Sequence, residues 1–335
     1  MNVFLRLAGI TAMVAISYSL LRKFIAGGVC TSTARMSGRV VLITGANSGI
    51  GKATAVDLTR RGARVIMACR DLKRGEAALN SIVEETGSSN VILKHLNLAS
   101  MKSIRAFAKE INTNEPELHV LINNAGVIGL PKREETEDGL ELTMAVNHFG
   151  HFLLTNLLLD LLKKSAPSRI VVVSSIAHHN FLETLSPFRF DNMHSEKNYR
   201  NLEAYGQSKL ANILFTRELA RRINGSGVTA NSLHPGISST GLANPSRLYG
   251  LPENLGNLMR RVLSIFFKTP EQGAQTSIHL AVSEEVEGIS GRYFIDCEER
   301  EPAKTGQDDV AAKKLWEISA EIVGMQDLIA EPEGK

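Results

Sequence analysis

The stretch VVLITGANSGIG, residues 40–51, decides the fold of this 335-residue chain. Its apolar first half is typical of a buried strand and runs directly into a turn with glycines at Gly45, Gly49 and Gly51. In a strand–turn–helix unit, such glycines let backbone N–H groups approach a pyrophosphate and let the helix lie against the strand. Packing alone can also require three glycines, so the motif favours a dinucleotide site without establishing one.

Apolar strands alternate with helical segments along the rest of the chain. This alternation predicts the α/β class, with a doubly wound, Rossmann-like, parallel seven-stranded sheet that carries helices on both faces. Ligands of such sheets bind at the carboxyl ends of the strands. The predicted strands are 40–44, 64–68, 91–96, 120–123, 169–174, 228–232 and 292–295, and the predicted helices are 51–61, 72–86, 100–112, 140–164 and 203–224.

Composition and charge exclude several functional classes. The net charge is +3, and the 38 basic residues are scattered among 35 acidic ones, so we expect no nucleic-acid partner. The three cysteines have no CxxC spacing, which argues against a disulfide framework and a zinc site. His148, His151, His178 and His179 have no carboxylate at ligand spacing, so we expect packing or hydrogen bonding at these positions and no metal.

The N-terminal residues depart from the pattern of a soluble domain. Residues 7–21, LAGITAMVAISYSLL, carry no charge, and Arg22 and Lys23 follow at once. The run is shorter than the roughly 20 residues that cross a bilayer. Three interpretations are open: a hydrophobic membrane anchor or signal-anchor over residues 1–25, which we favour, a cleaved targeting peptide, or a helix buried in the protein.

The second predicted strand bears on the choice of nucleotide. NAD-binding folds place an acidic residue near the end of this strand, where it accepts hydrogen bonds from the ribose. Here the strand ends at Cys69 and Arg70. A thiol cannot replace that acceptor, whereas a guanidinium can bind a 2′-phosphate through charge-assisted hydrogen bonds. Asp71 keeps NAD open, although its position suits a helix cap, and NADP is the favoured cofactor.

A possible acid–base pair lies in the sequence YGQSK. Tyr205 and Lys209 are four residues apart, which places both on one face of a helix. Tyrosine has an ordinary pKa near 10, so a nearby cation is needed to favour its phenolate. Such a pair also arises by chance. The case strengthens because Ser175 follows the fifth predicted strand, and Asn147 lies in the helix predicted before it.

Together these motifs resemble the short-chain dehydrogenase/reductase family. TGANSGIG, NNAG, Asn147, Ser175, YGQSK and HPGISST occur in that family's order over residues 37–297. Within the family, ACRD, VNHFGHFLLTNLLL and SKLANILFTRELARR resemble the membrane-associated, NADP-preferring retinol dehydrogenases of types eleven to fourteen. The resemblance implies an NADP(H)-dependent oxidoreductase that interconverts retinal and retinol, mainly as a retinal reductase. A reductase of steroids or other lipid aldehydes and ketones, and a catalytically silent NADPH-binding regulatory protein, are the alternatives.

The resemblance also implies a role for each site residue. Tyr205 would be the general acid in reduction and the base in oxidation, and Lys209 would lower its pKa and bind the nicotinamide ribose. Ser175 would bind the substrate oxygen, and Asn147 would order a helix and a proton-relaying water. The implied cofactor-binding residues are Gly45, Ser48, Gly49, Ile50, Gly51, Arg70, Asn97, Asn123, Tyr205, Lys209, Ile237 and Thr240.

Some positions depart from the family's pattern. Asn97 replaces the usual aspartate beside the adenine, and because an amide still offers an acceptor oxygen we expect weakened binding at most. Ser48 occupies a position that is basic in some NADP enzymes, which leaves Arg70, helped by Lys52, to select the phosphate. The segment between Ser175 and Tyr205 is several residues longer than in relatives, which makes substrate specificity harder to infer.

The domain boundaries follow from these assignments. A linker, predicted to be flexible, covers residues 26–37, the NADP-binding oxidoreductase domain covers 38–300, and a charged C-terminal tail with one helix covers 301–335. Residues 241–268 are strongly apolar and predict a substrate lid, with a helix packed on its own domain as the alternative. The resemblance implies that this lid lies over the nicotinamide.

An apolar lid and an apolar N-terminal segment favour a small hydrophobic substrate, a retinoid or lipid aldehyde, that arrives from a membrane. We expect membrane contact through the N-terminal segment and the lid. The favoured location is the endoplasmic reticulum membrane with the catalytic domain facing the cytosol, and a mitochondrial membrane is the alternative. A homodimer paired through helices 140–164 and 203–224 is a further possibility.

Overall fold

One sheet forms the centre of the fold. The computed structural model describes residues 3–128, 131–179, 187–238 and 251–330. Strands β1 to β7 run parallel in the order β3-β2-β1-β4-β5-β6-β7, and β8 pairs antiparallel with β7 at the edge. This confirms the predicted doubly wound α/β class. The strands are β1 (Val40–Thr44), β2 (Arg64–Cys69), β3 (Val91–His95), β4 (Val120–Asn123), β5 (Ser168–Val173), β6 (Val228–His234), β7 (Tyr293–Ile295) and β8 (Glu298–Arg300).

The eighth strand is absent from the prediction, which gave seven. Asp296 and Cys297 form a two-residue turn with φ of 53° and 63°, and this turn folds β8 back onto β7. Both central residues with positive φ are the pattern of a type I′ hairpin turn, which usually contains asparagine and glycine. All three residues of β8 are exposed and charged, so no apolar alternation marked it as a strand.

Helices cover both faces of the sheet, as predicted. Side chains of β1 alternate between two buried clusters, with Leu42 in one and Val41 and Ile43 in the other. The first cluster includes residues of α4, α6, α7 and α10, and the second includes residues of α2, α3 and α9. The helices are α1 (Val3–Ala26), α2 (Gly49–Arg60), α3 (Leu72–Thr86), α4 (Met101–Asn114), α5 (Leu142–Met144), α6 (Gly150–Lys164), α7 (Asn201–Arg222), α8 (Glu253–Leu263), α9 (Pro270–Val282) and α10 (Asp309–Ile322).

The segment predicted as an anchor forms helix α1. Within the part of the chain that the structure describes, no helix has both the length and the apolar character needed to cross a membrane. The segment that follows, predicted as a flexible linker, is instead bonded to the main domain. Cys30 N donates to Gln275 Oε1 at 3.1 Å, and Arg61 Nη1 donates to Ser32 O at 2.8 Å.

Helix α10 belongs to the core, although the sequence placed it in a charged tail. Its Trp316 is 3% exposed and stacks on Phe215 of α7 with ring centroids 5.9 Å apart. The same indole meets Phe152 of α6 edge-on at 4.9 Å, and its Nε1 donates to Leu328 O at 2.8 Å. The chain's own α10 therefore covers this part of the surface of α6 and α7, the helices that a homodimer could use.

Replacing this indole tests whether α10 is part of the core. We expect Trp316→Ala to lower the free energy of unfolding by about 3–5 kcal/mol, because it removes a buried aromatic side chain and leaves a cavity. Val310→Ala on the same helix is the control, since Val310 is 79% exposed and its truncation should change stability by less than about 0.5 kcal/mol. Denaturant unfolding measures both, and equal losses in the two variants would contradict a core role for α10.

Candidate active site

The turn between β1 and α2 has the backbone geometry that a bound pyrophosphate requires. Gly45 has φ of +69°, and a Cβ there would lie 3.0 Å from the Cα of Ala125. A Cβ on Gly51 would lie 2.5 Å from Gly45 O, so the helix approaches the turn more closely than any other residue allows. Ser48 precedes α2, and its side chain makes no capping hydrogen bond. The first N–H groups of α2 are thus presented as an anion site.

A hydrogen-bond network that the sequence reasoning missed fixes this turn to β4. Thr44 Oγ1 accepts from the backbone N–H groups of Asn124 and Ala125, both at 2.9 Å, and Asn124 Nδ2 donates back to Thr44 O at 2.8 Å. His151 Nε2 lies 2.9 Å from the same Thr44 hydroxyl. Only their positions in the sequence could have indicated this network, because Thr44 and Asn124 lie at the carboxyl ends of neighbouring strands.

Of the residues predicted to select the nucleotide, Arg70 is exposed, whereas Asp71 and Lys52 are hydrogen-bonded within the protein. Cys69 is buried, and burial raises its pKa to about 11, so the thiol is neutral. Arg70 follows it and is exposed. Asp71 accepts from Arg74 N at 3.0 Å as the N-cap of α3, which confirms the predicted cap. Lys52 Nζ donates to Ser81 Oγ at 2.8 Å and is therefore directed at α3.

The other predicted cofactor residues differ in how accessible their side chains are. Asn97 Oδ1 already accepts from Ala99 N at 3.1 Å, which leaves less acceptor capacity for an adenine than the sequence suggested. Asn123 is 1% exposed and donates to Thr155 Oγ1 at 2.8 Å, so this residue lies inside the fold. Ile237 is 57% exposed. Ile50 lies in the first turn of α2, between Gly49 and Gly51, and its side chain packs against Gly273. Thr240 is outside the described residues.

The end of β5 is fastened to α7 by three hydrogen bonds, which we call the β5–α7 seam. Lys209 Nζ donates to Val173 O at 2.9 Å, and Asn212 Nδ2 donates to the same oxygen at 3.2 Å. Ser174 Oγ donates to Lys209 O at 2.7 Å. Lys209 is 3% exposed, so its ammonium group is held inside the protein by a backbone carbonyl. The seam sets the position of Ser175 relative to α7.

Close packing beside the seam brings Ser175 and Tyr205 together. The 3₁₀ turn Ile176–His179 lies directly on α7, and a Cβ on Gly206 would be 2.8 Å from Ala177 O. Across this contact the Ser175 side chain lies near enough to the Tyr205 phenol to lower its pKa. Nothing in the local sequence marks Gly206, because its importance depends on a tertiary contact.

The electrostatics of the pair suit a proton donor. Burial raises the pKa of Tyr205, and the nearby Ser175 side chain acts in the opposite direction. Burial lowers the pKa of Lys209 to about 8, and Lys209 Nζ lies 5.6 Å from the centroid of the Tyr205 ring. Burial outweighs the effect of Ser175 on the Tyr205 pKa, and the lowering of this pKa by Lys209 stays a prediction. The phenol is protonated at neutral pH, as a general acid must be.

Asn147 lies in a π-helical turn that the sequence analysis did not foresee. The helix predicted over residues 140–164 is divided into α5, the π-helical turn Ala145–Phe149 and α6. Asn147 Oδ1 accepts from Val127 N at 2.8 Å, and Asn147 Nδ2 donates to Ser208 Oγ at 2.9 Å. A Cβ on Gly126 would lie 3.4 Å from Asn147 Oδ1 and 3.5 Å from Lys209 Nζ, so both groups border the same point. Such turns are frequent at functional sites.

A nucleotide turn and a tyrosine–lysine–serine group at one edge of a parallel sheet define a nucleotide-dependent oxidoreductase. The family model described as short chain dehydrogenase matches residues 39–188. The chain belongs to this family, which uses a nicotinamide cofactor.

Individual relatives place the chain more finely. It is 52% identical over 303 residues to human retinol dehydrogenase 14, covering 87% of this chain and 88% of the relative. It is 48% identical over 306 residues to mouse retinol dehydrogenase 12, covering 91% and 93% respectively. A crystal structure of an uncharacterised protein from Mycobacterium paratuberculosis matches with TM-score 0.69 and 32% identity, covering 89% of this chain and 98% of that one. The subgroup of retinol dehydrogenases is thereby confirmed.

The glycine between Tyr205 and Lys209 provides a test of the site's geometry. We expect Gly206→Ala to lower kcat by roughly 10- to 100-fold, because the new Cβ pushes the Ser175 turn away from α7 and misplaces one member of the pair. Gly75→Ala is the control, since its Cβ would meet Leu93 Cδ1 at 2.7 Å, far from the seam. Turnover at saturating nucleotide measures the loss of activity, and unfolding curves measure the loss of stability. An equal loss of kcat in both variants would contradict this interpretation.

Proposed function

We propose that this protein is an NADP(H)-dependent oxidoreductase that interconverts retinal and retinol and works mainly as a retinal reductase. The observation that carries the proposal is the convergence of Ser175 and Tyr205 beside the buried ammonium of Lys209, whose Nζ lies 5.6 Å from the Tyr205 ring. The names of the relatives support the choice of a retinoid as substrate.

The residues of the pair have complementary tasks in carbonyl reduction. When bound at the glycine turn, a nicotinamide cofactor would supply the hydride that reduces the carbonyl carbon. Tyr205 donates its phenolic proton to the carbonyl oxygen as that oxygen gains negative charge, and the Ser175 hydroxyl donates a hydrogen bond to the same oxygen. The nearby Lys209 ammonium stabilises the phenolate that remains. In oxidation Tyr205 accepts the proton of the alcohol.

The glycine turn and the end of β2 support NADP as the cofactor. The uncapped start of α2 fits a pyrophosphate, because its N–H groups point at the turn. Arg70 offers an exposed guanidinium where an NAD enzyme needs an acceptor, and Asp71 is engaged as a helix cap. A 2′-phosphate matches this arrangement better than a ribose hydroxyl does.

Exposed apolar side chains support a membrane as the source of the substrate. Leu258 on α8, in the predicted lid, is 58% exposed, and Phe266 just after it is 57% exposed. Phe24 at the end of α1 is 86% exposed. Arg22 Nη1 donates to Phe267 O at 2.8 Å, which ties α1 to the end of the lid. Contact of both segments with a membrane, of the endoplasmic reticulum or alternatively of mitochondria, belongs to the proposal. Lid residues 241–250 lie outside the described chain.

Removal of one hydroxyl tests the mechanism. We expect Tyr205→Phe to lower NADPH-dependent reduction of all-trans-retinal by about 10²- to 10⁴-fold while the dissociation constant for NADPH stays unchanged. Tyr293→Phe is the control, because within the described chain the buried Tyr293 hydroxyl has no hydrogen-bond partner. Persistent turnover in Tyr205→Phe would contradict the mechanism. If the wild type reduces a steroid ketone faster than retinal, the proposed substrate is wrong.

A second substitution tests the cofactor. Arg70→Ala should raise the KM for NADPH by roughly 10- to 100-fold, the value of a lost charge-assisted hydrogen bond, and leave the KM for NADH nearly unchanged. Arg60→Ala is the control, because Arg60 is also an exposed arginine but pairs with Glu85 at 2.7 Å. Equal use of NADH and NADPH by the wild type would overturn the assignment to Arg70.

A further inference from the structure

A buried histidine connects Ser175 to the C-terminal part of the chain. We propose that His178 is a positioning residue, whose neutral ring holds the Ser175 backbone so that the Ser175 hydroxyl stays beside Tyr205. This inference rests on the proposed function, because it assigns His178 to the same reaction. From the sequence alone, only packing or hydrogen bonding was expected of His178.

The two ring nitrogens of His178 have different partners. Nδ1 lies 2.7 Å from Ser175 O, and Nε2 accepts from Ala303 N at 3.1 Å. A backbone N–H can only donate, so Nε2 is the unprotonated nitrogen. Nδ1 therefore carries the hydrogen and donates it to the Ser175 carbonyl. The ring is 2% exposed, and burial lowers the pKa of His178 to about 4, which agrees with a neutral ring.

Hydrogen bonds within the turn couple the position of the Ser175 hydroxyl to the position of the Ser175 carbonyl. Ser175 O also accepts from His178 N at 3.1 Å, and Ser175 Oγ accepts from Ala177 N at 3.2 Å. The carbonyl and the hydroxyl of one residue are thus fixed by the same short turn. If the ring bond is lost, the peptide plane after Ser175 can rotate and the hydroxyl can leave its place beside Tyr205.

The partner of Nε2 is itself fixed against the catalytic helix. Ala303 is 7% exposed and directly precedes the 3₁₀ turn Lys304–Gln307. In this turn a Cβ on Gly306 would lie 3.2 Å from Ile213 Cγ2 of α7. His178 therefore bridges the Ser175 turn and a segment that rests on the helix carrying Tyr205. The Ser175 turn and the segment after Ala303 both contact α7. The two hydrogen bonds of His178 can therefore hold the distance between Ser175 and Tyr205.

Two amide side chains can separate the two hydrogen bonds. An asparagine amide occupies the place of Nδ1, so His178→Asn keeps a donor for Ser175 O and loses the acceptor for Ala303. A glutamine amide reaches the place of Nε2, so His178→Gln keeps the acceptor and loses the donor. We expect His178→Gln to lower kcat by roughly tenfold or more with the KM for NADPH unchanged, and His178→Asn to stay within about threefold of the wild type.

A double-mutant cycle with Ser175→Ala decides whether His178 acts through the serine. If it does, His178→Gln lowers kcat in the wild type but has no further effect in the Ser175→Ala background. If the losses of kcat from His178→Gln and Ser175→Ala multiply in the double variant, the histidine is merely structural and the inference is overturned. Equal losses of kcat in His178→Asn and His178→Gln would overturn it as well. Thermal unfolding of each variant reports the structural cost separately.

A measurement without turnover distinguishes failure of this inference from failure of the proposed function. ¹⁵N NMR of the histidines in the wild type should show His178 neutral and protonated on Nδ1 at pH 7. Protonation on Nε2 would overturn the inference even if retinal is reduced. If this tautomer is found but no carbonyl substrate turns over, the proposed function fails on its own. If neither variant folds, the tautomer decides the inference.

Discussion

The site depends on the carbonyl of Val173, the last residue of β5. This one oxygen accepts from the Lys209 ammonium and from the Asn212 amide, so it fixes two turns of α7 against the end of the strand. An ammonium group buried at 3% exposure is costly unless it is hydrogen-bonded, and here the backbone supplies the acceptor. Burial still lowers the Lys209 pKa to about 8, so the group remains mostly protonated at pH 7.

The parallel sheet unites two sites that are far apart in the sequence. β1, β4 and β5 are neighbours, so the glycine turn after β1 and the seam after β5 open at the same edge. Between them, Asn124 at the end of β4 holds the turn through Thr44. Hydride transfer requires a cofactor and an acid at one carbonyl group, and the strand order alone brings their binding elements together.

The sequence predicted what local pattern determines and missed what tertiary contact determines. The glycine turn, the seven parallel strands and the pairing of Tyr205 with Lys209 follow from residue spacing. By contrast, a strand of charged residues such as β8 has no apolar pattern, and the role of Trp316 depends on rings from two other helices. Gly206 is important only because a carbonyl from another segment lies against it.

The central claim is that the β5–α7 seam directs Tyr205 and Ser175 at one substrate oxygen. A crystal structure of the complex with NADP⁺ and retinol tests it most directly. The account predicts the retinol oxygen within hydrogen-bonding distance of both the Tyr205 hydroxyl and the Ser175 hydroxyl, with Lys209 still bonded to Val173 O. A retinol oxygen bound away from either hydroxyl, or a seam that opens in the complex, would contradict it.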